Sequence, residues 1–195
     1  MYDNTSGTGN TAIGYLAGVN APGNYSNATA IGYNARSNAP NKIRFGNSTV
    51  MTIEGQVAFT TPSDGRFKTA VTETVKGLGF IMKLRPVVYN FQTKKYDVFI
   101  NGTPNARFIT GIDYSESEHM RHNGFIAQEV EKAAKETGYE FDGVVAPKNN
   151  KDTYGISYSQ FVVPLVKALQ EQQVLIEGLK NEVEILKTEI EKIKK

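Results

Sequence analysis

The stretch Ser63-Asp64-Gly65-Arg66-Phe67-Lys68 places residue types suited to covalent chemistry close together. Serine is a weak nucleophile near neutral pH and needs an adjacent base, a role that a desolvated lysine can fill. The five-residue step from Ser63 to Lys68 decides which backbone could join them. On a helix, positions five apart lie about 140° apart around the axis. On a strand, an odd step puts them on opposite faces. A turn at Asp64-Gly65 would fold the chain back so that Lys68 reaches Ser63. On spacing alone, an exposed turn with a solvated lysine is the commoner outcome, so the surroundings must decide.

Other chemistries find little support. The 195 residues include no cysteine, which excludes disulfides, thiolate nucleophiles and thiolate metal sites. His119 and His122 are the only histidines, and beside Asp113, Glu116 and Glu118 they read as polar-loop residues rather than ligands. No metal or cofactor is expected. Gly77 and Gly79 lack the rest of a phosphate loop. With 22 Lys and Arg against 20 Asp and Glu, the net charge of +2 gives no long-range attraction to nucleic acid or to an anionic membrane. No apolar run approaches the roughly 18 residues of a membrane span, and the N-terminus lacks a basic-then-apolar leader. The expectation is a soluble chain or fragment that binds neither membrane nor nucleic acid.

The elements that must position Ser63 and Lys68 differ on either side of residue 62. Residues 1–62 hold only five charged side chains, Asp3, Arg36, Lys42, Arg44 and Glu54, amid Asn, Gly, Ser, Thr and Ala. Such composition often signals disorder, but Thr11-Ala12-Ile13-Gly14-Tyr15 recurs 18 residues on as Thr29-Ala30-Ile31-Gly32-Tyr33, with an echo at Ile43-Arg44-Phe45-Gly46-Asn47. Each repeat carries one or two inward-sized apolar residues between turns, which predicts a β-roll or solenoid whose rungs bury jointly what one cannot. These repeats, over about residues 10–50, resemble the heads of trimeric bacterial adhesins and of phage and bacterial fibre proteins. Thr49–Ile53 and Gln56–Thr60 read as a hairpin turned at Glu54-Gly55.

Beyond residue 62 the pattern is α+β. Val75, Leu78, Ile81 and Met82 predict a helix ended by Pro86, and Val87–Phe91 predicts a strand. Tyr96–Ile100 and Arg107–Thr110 around Asn101-Gly102 suggest a second hairpin. Ile126–Thr137 predicts a helix with Ile126, Val130, Ala133 and Ala134 on one face and Gly138 as its C-terminal cap. From Val162 the apolar positions step by three and four to the end. Val162, Leu169, Ile176, Val183 and Ile190 take a positions; Leu165, Gln172, Leu179, Leu186 and Ile193 take d positions. This predicts a coiled coil that needs partner helices, with Leu169, Ile176, Leu179, Val183, Leu186 and Ile190 in the seam. Heptad rules alone favour two strands.

Four stretches occur in order: Ser63-Asp64-Gly65-Arg66-Phe67-Lys68; Leu84-Arg85-Pro86-Val87-Val88-Tyr89-Asn90-Phe91; His122-Asn123-Gly124-Phe125-Ile126-Ala127-Gln128-Glu129-Val130; and Tyr158 leading into the heptads. Together they resemble the C-terminal intramolecular chaperone domain of phage tail spikes and endosialidases, the S74 peptidase family. The resemblance covers about residues 63–195. It implies a homotrimerising chaperone that cuts itself from its fibre with a Ser-Lys dyad: Ser63 as nucleophile, Lys68 as base, cleavage between Pro62 and Ser63. Asp64, Arg66, His122, Gly124 and Gln128 become candidate supporting residues. Phe67, where relatives carry a smaller aliphatic residue, and Pro62 beside the cut depart from the pattern.

The implied organisation is a β-roll stalk over 1–62, an α+β chaperone and autoprotease domain over 63–160 and a coiled coil over 161–195. The partners would be two identical chains, and the setting a phage virion tail fibre or a bacterial surface fibre with its upstream region outside this chain. The rival reading keeps the trimeric fold as a non-cleaving fibre or adhesin tip.

Overall fold

The repeated Thr-Ala-Ile-Gly-Tyr becomes two neighbouring parallel strands in the computed structural model, which describes residues 4–20, 23–101 and 110–194. β1 (Thr11–Ile13) pairs with β3 (Ala28–Ile31) in the register of the repeat, Thr11 on Thr29 and Ile13 on Ile31. β5 (Lys42–Phe45) adds on β3's other side with Ile31 facing Phe45. A second parallel ladder joins β2 (Gly18–Val19) to β4 (Arg36–Ser37). The glycine of the repeat is required sterically. Gly14 and Gly32 sit at φ +118° and +112°, and a Cβ on Gly14 would lie 2.7 Å from the Gly32 carbonyl oxygen.

Alanines, not the larger residues, face inward between the ladders. Ala17, Ala28, Ala30 and Ala35 are buried, whereas Ile13, Tyr15, Tyr33, Ile43 and Phe45 are exposed. Tyr15 and Tyr33 stack along the outer face, centroids 6.1 Å apart. Val19 on β2 and Arg36 on β4 are buried as well, while these bulky residues of the outer face stay in water.

Two compact units divide the chain, with a boundary between Pro62 and Ser63. The first comprises residues 1–62, 87–124 and 146–154. It contains β6 (Val87–Asn90), antiparallel to β7 (Arg121–Gly124), with helices α2 (Thr93–Asn101) and α3 (Ser115–His119). Asn20 Nδ2 donates to the Ile100 carbonyl at 2.7 Å, tying α2 to the ladders. The buried Tyr114 hydroxyl donates to Asp97 at 2.8 Å, and burial together with that carboxylate raises the phenol's pKa. Asp152 is 5 % exposed and accepts from Lys42 Nζ at 2.7 Å and from the Lys148 and Thr153 N–H groups.

The second unit comprises residues 63–86, 125–145 and 155–195. Helix α4 (Ala127–Glu136) buries Ala127, Val130, Ala133 and Ala134. Phe80, Phe161, Phe125, Tyr139 and Phe141 pack around it. Phe80 lies 5.2 Å from Tyr139 and Phe141 lies 4.8 Å from Phe161, centroid to centroid, in edge-on contacts that add to area burial. α4 ends as its sequence predicts: Tyr139 N–H donates to the Ala134 carbonyl and Gly138 N–H to Lys135. A short antiparallel pair, β8 (Val144–Val145) with β9 (Gly155–Ile156), precedes helix α5 (Val162–Ile193).

α5 runs 32 residues, about 48 Å at the usual rise. Pro164 stands in its first turn, where a missing N–H costs no helical bond. Only its beginning packs on the unit, and every residue from 172 to 194 is exposed. Helix α1 (Leu78–Ile81) docks against this beginning, where Glu171 accepts from the Leu78 N–H at 2.7 Å. The closeness depends on Gly77, because a Cβ there would meet the Ala168 backbone nitrogen at 2.7 Å.

Three expected elements differ. Residues 49–60 form no hairpin: no strand is present, and every residue from 50 to 74 is exposed. An isolated two-stranded hairpin with no covering layer is marginal in water. Tyr96–Ile100 is helical, since Thr93, Asp97 and Ile100 lie on one buried helical face. Its expected partner arm, Arg107–Thr110, lies outside the described residues except for Thr110. The Val75–Met82 helix contracts to one turn that buries Phe80 and leaves Met82 in water.

Two outcomes test these contacts. Burial alone would raise the Asp152 pKa, but the bonds from Lys42, Lys148 and Thr153 prevail and hold it below the ordinary 3.8. A depressed carboxylate stabilises the fold above its unfolded pKa and loses that contribution as pH falls through the folded value. Asp152→Asn should therefore cost about 2 kcal/mol near neutrality, with the difference from wild type in urea titrations shrinking as pH falls through the folded-state value. Gly77→Ala should lower the urea midpoint of the second unit by about 1–3 kcal/mol equivalent, followed through the aromatic near-UV signal around Phe80 and Tyr139.

Candidate functional site

Residues 63–68 owe their shape to local bonds. Asp64 takes an extended conformation at φ −72°, ψ 125°, and its carboxylate accepts from the Arg66 N–H at 2.9 Å, capping a single 3-10 turn over Gly65–Phe67. The Phe67 N–H donates to the Asp64 carbonyl and the Lys68 N–H to the Gly65 carbonyl. The turn folds the chain back, and Lys68 Nζ lies 2.7 Å from Ser63 Oγ. This is the juxtaposition that neither helix nor strand could give.

The Arg66 side chain closes the arrangement. Its Nε lies 3.1 and 3.0 Å from the two Asp64 carboxylate oxygens, and Nη2 lies 2.6 Å from Oδ2. These bonds hold the Asp64 carboxyl below its usual pKa and raise that of the guanidinium. The guanidinium also lies 5.7 Å from the Phe67 ring centre, and Phe67 is 82 % exposed.

Water reaches the whole segment. Pro62, Ser63 and Lys68 are all exposed, and no donor among the described residues bonds to the Pro62 carbonyl. A lysine serves as general base when desolvated, and acyl transfer needs donors aimed at the developing oxyanion. The single chain thus brings Ser63 Oγ and Lys68 Nζ together in an open setting.

The remaining candidates occupy different elements. His122 and Gly124 lie on β7, where His122 pairs with Tyr89 across the ladder and stacks on it at 5.5 Å, while Gly124 pairs with Val87. Gln128 is exposed in the first turn of α4. The Leu84–Phe91 and His122–Val130 stretches are therefore joined twice, by the β6–β7 ladder and by Arg85, which donates to Glu129 through Nε at 3.1 Å and Nη2 at 2.6 Å. The pair lowers the Glu129 pKa and raises that of Arg85. Glu131 pairs with Lys135, one turn on along α4, at 3.0 Å. Tyr158 stacks on Phe125, 6.1 Å between centroids, and its hydroxyl accepts from the Phe125 N–H at 3.1 Å.

The seam residues Leu169, Ile176, Leu179, Val183, Leu186 and Ile190 are all exposed along α5. His119 Nδ1 meets the Ser115 carbonyl at 2.6 Å. Among the described residues no group of three or more His, Asp or Glu is placed to hold a metal ion, and no helix is long and apolar enough to cross a membrane. The role of Glu171 as a cap on α1 has no local signal, because 93 residues separate it from Leu78.

Residues 63–139 match the family model described as chaperone of endosialidase, Peptidase S74. This segment, less than half of the chain, is similar to the S74-type chaperone family. The match begins at Ser63, where the two compact units also divide. Compared with curated proteins, the chain shows no significant match.

Proposed function

We propose that this chain is the C-terminal end of a trimeric fibre of phage-tail or bacterial-surface type. In this reading residues 1–62 are a β-roll stalk, residues 63–160 an intramolecular chaperone and residues 161–195 a coiled coil that joins three copies. Once assembled, the chaperone releases itself by cutting between Pro62 and Ser63. The observation that carries the reading is the 2.7 Å bond between Lys68 Nζ and Ser63 Oγ at the first residues of the matched segment.

The chemistry balances without a cofactor. Ser63 Oγ attacks the Pro62 carbonyl carbon while its proton passes to Lys68 Nζ. The Pro62–Ser63 C–N bond breaks, Lys68 returns the proton to the departing Ser63 nitrogen, and Pro62 is left as an ester on Ser63 Oγ. Water hydrolyses the ester, giving a Pro62 carboxylate and a new Ser63 amino terminus. The event occurs once per chain.

Assembly supplies what the single chain lacks. The exposed seam of α5 becomes covered when helices join, and partner surfaces over residues 50–74 exclude water from Ser63 and Lys68 and bring donors to the Pro62 oxygen. Three polar stalk chains that must pair non-locally face a slow, aggregation-prone search. A domain that trimerises first makes that search intramolecular, at an effective concentration on the millimolar scale. Cleavage then removes the assembler and leaves the stalk trapped behind its unfolding barrier.

The second reading, a permanent non-cleaving tip, is favoured by the full exposure of Ser63 and Lys68. Denaturing and native mass spectrometry of wild type, Ser63→Ala and Lys68→Ala separate the two. Splitting after Pro62 in wild type alone, with both variants whole and trimeric, is the expected result, and hydroxylamine present during folding should convert the Pro62 end to a hydroxamate. A wild-type chain that stays whole as a trimer would establish the tip reading instead.

A further inference from the structure

We propose that Asp64 and Arg66 are positioning residues for the Ser63–Lys68 pair: the Arg66 fork fixes the Asp64 carboxylate, and that carboxylate caps the turn that returns Lys68 to Ser63. The inference rests on the dyad reading and adds to it the device that holds the base in place.

A lysine side chain has four rotatable bonds, and a turn with no burial is held only by its own bonds. Every residue from 61 to 70 is exposed, so no packing supplies order here. The bonds present form a closed set. Asp64 Oδ1 receives the Arg66 N–H, which fixes the start of the turn, and both carboxylate oxygens receive the Arg66 guanidinium, which fixes the rotamer that lets Oδ1 cap. The capped turn then presents the Lys68 N–H to the Gly65 carbonyl and Nζ to Ser63 Oγ.

Neither residue touches the reacting atoms. Their part is to raise the fraction of time that Nζ spends within hydrogen-bond reach of Oγ, and catalytic steps depend steeply on such positioning. A fork of this kind suits Arg and not Lys, whose single ammonium cannot grip both carboxylate oxygens in one plane. The lowered pKa of Asp64 is consistent with this role, because the bonds from Arg66 favour the ionised, accepting carboxylate.

The test measures the cleavage rate on refolding from denaturant for wild type, Asp64→Ala, Asp64→Asn, Arg66→Ala and the Asp64→Ala/Arg66→Ala double variant, with native mass confirming the trimer. Removing the cap should slow cleavage roughly tenfold. Asp64→Asn, which still accepts from the Arg66 N–H but loses the two-oxygen grip of the guanidinium, should fall between wild type and Asp64→Ala, near Arg66→Ala. Arg66→Ala should slow cleavage by itself yet add little in the double variant, since both act through one carboxylate. Equal rates for wild type and Asp64→Ala, or an Asn variant as slow as the Ala variant, would overturn the proposal.

A second measurement is independent of cleavage. In the uncleavable Ser63→Ala chain, the introduced methyl group should show an NMR contact to the Lys68 ε-methylene. That contact should vanish with Asp64→Ala and persist with Asp64→Asn. If it persists in both, Asp64 does not position Lys68, whatever the cleavage rates. If it behaves as expected while wild type never cleaves, the positioning stands and the dyad reading fails.

Discussion

Apolar surface that one chain leaves in water is the constraint on which the rest of this structure depends. It includes the outer ladder face with Ile13, Tyr15, Tyr33, Ile43 and Phe45, the exposed stretch with Val57 and Phe59, and the seam of α5. Each is ordered or extended without being covered, and burial is worth about 25 cal/mol per Å². A 32-residue helix with an unpaired stripe gains its stability from partners, not from propensity. The inward faces, by contrast, are finished, with alanines between the ladders and aromatic rings around α4. The proposed trimer would cover this surface.

The same constraint bears on the chemistry. The Ser63–Lys68 bond forms from local geometry alone, before any covering surface is present. Both side chains lie in water, and a carbonyl without donors resists attack. An arrangement assembled locally but completed only by association would order the events: fold, join, then cut. One of the boundaries between the compact units lies at the proposed scissile bond, although residues 87–124 and 146–154 beyond it belong to the same unit as 1–62.

What could be read from sequence follows the range of the interactions. The 18-residue repeat fixes the β1–β3 register because parallel rungs align identical residues, and the heptads fix α5 because their period is local. The turn at Asp64-Gly65 followed from steric exclusion of the alternatives. Composition alone does not say which residues of the repeat are buried, and the structure buries Ala17, Ala28, Ala30 and Ala35 while Ile13, Tyr15 and Tyr33 are exposed. Asn101-Gly102 suggested a hairpin because its local signal outweighed a helical face in which two of three buried residues, Thr93 and Asp97, are polar. Lys42 with Asp152 and Glu171 with Leu78 lie 110 and 93 residues apart, beyond any local pattern.

The central claim is that association completes the site, and the direct measurement is the dependence of the cleavage rate on chain concentration. Denatured wild-type chain is refolded over a dilution series and the fraction split after Pro62 is followed by mass spectrometry. The account predicts half-times that lengthen steeply on dilution, with cut product appearing only after trimer in native spectra. A single first-order rate at every dilution, or cut monomers before any trimer, would contradict it.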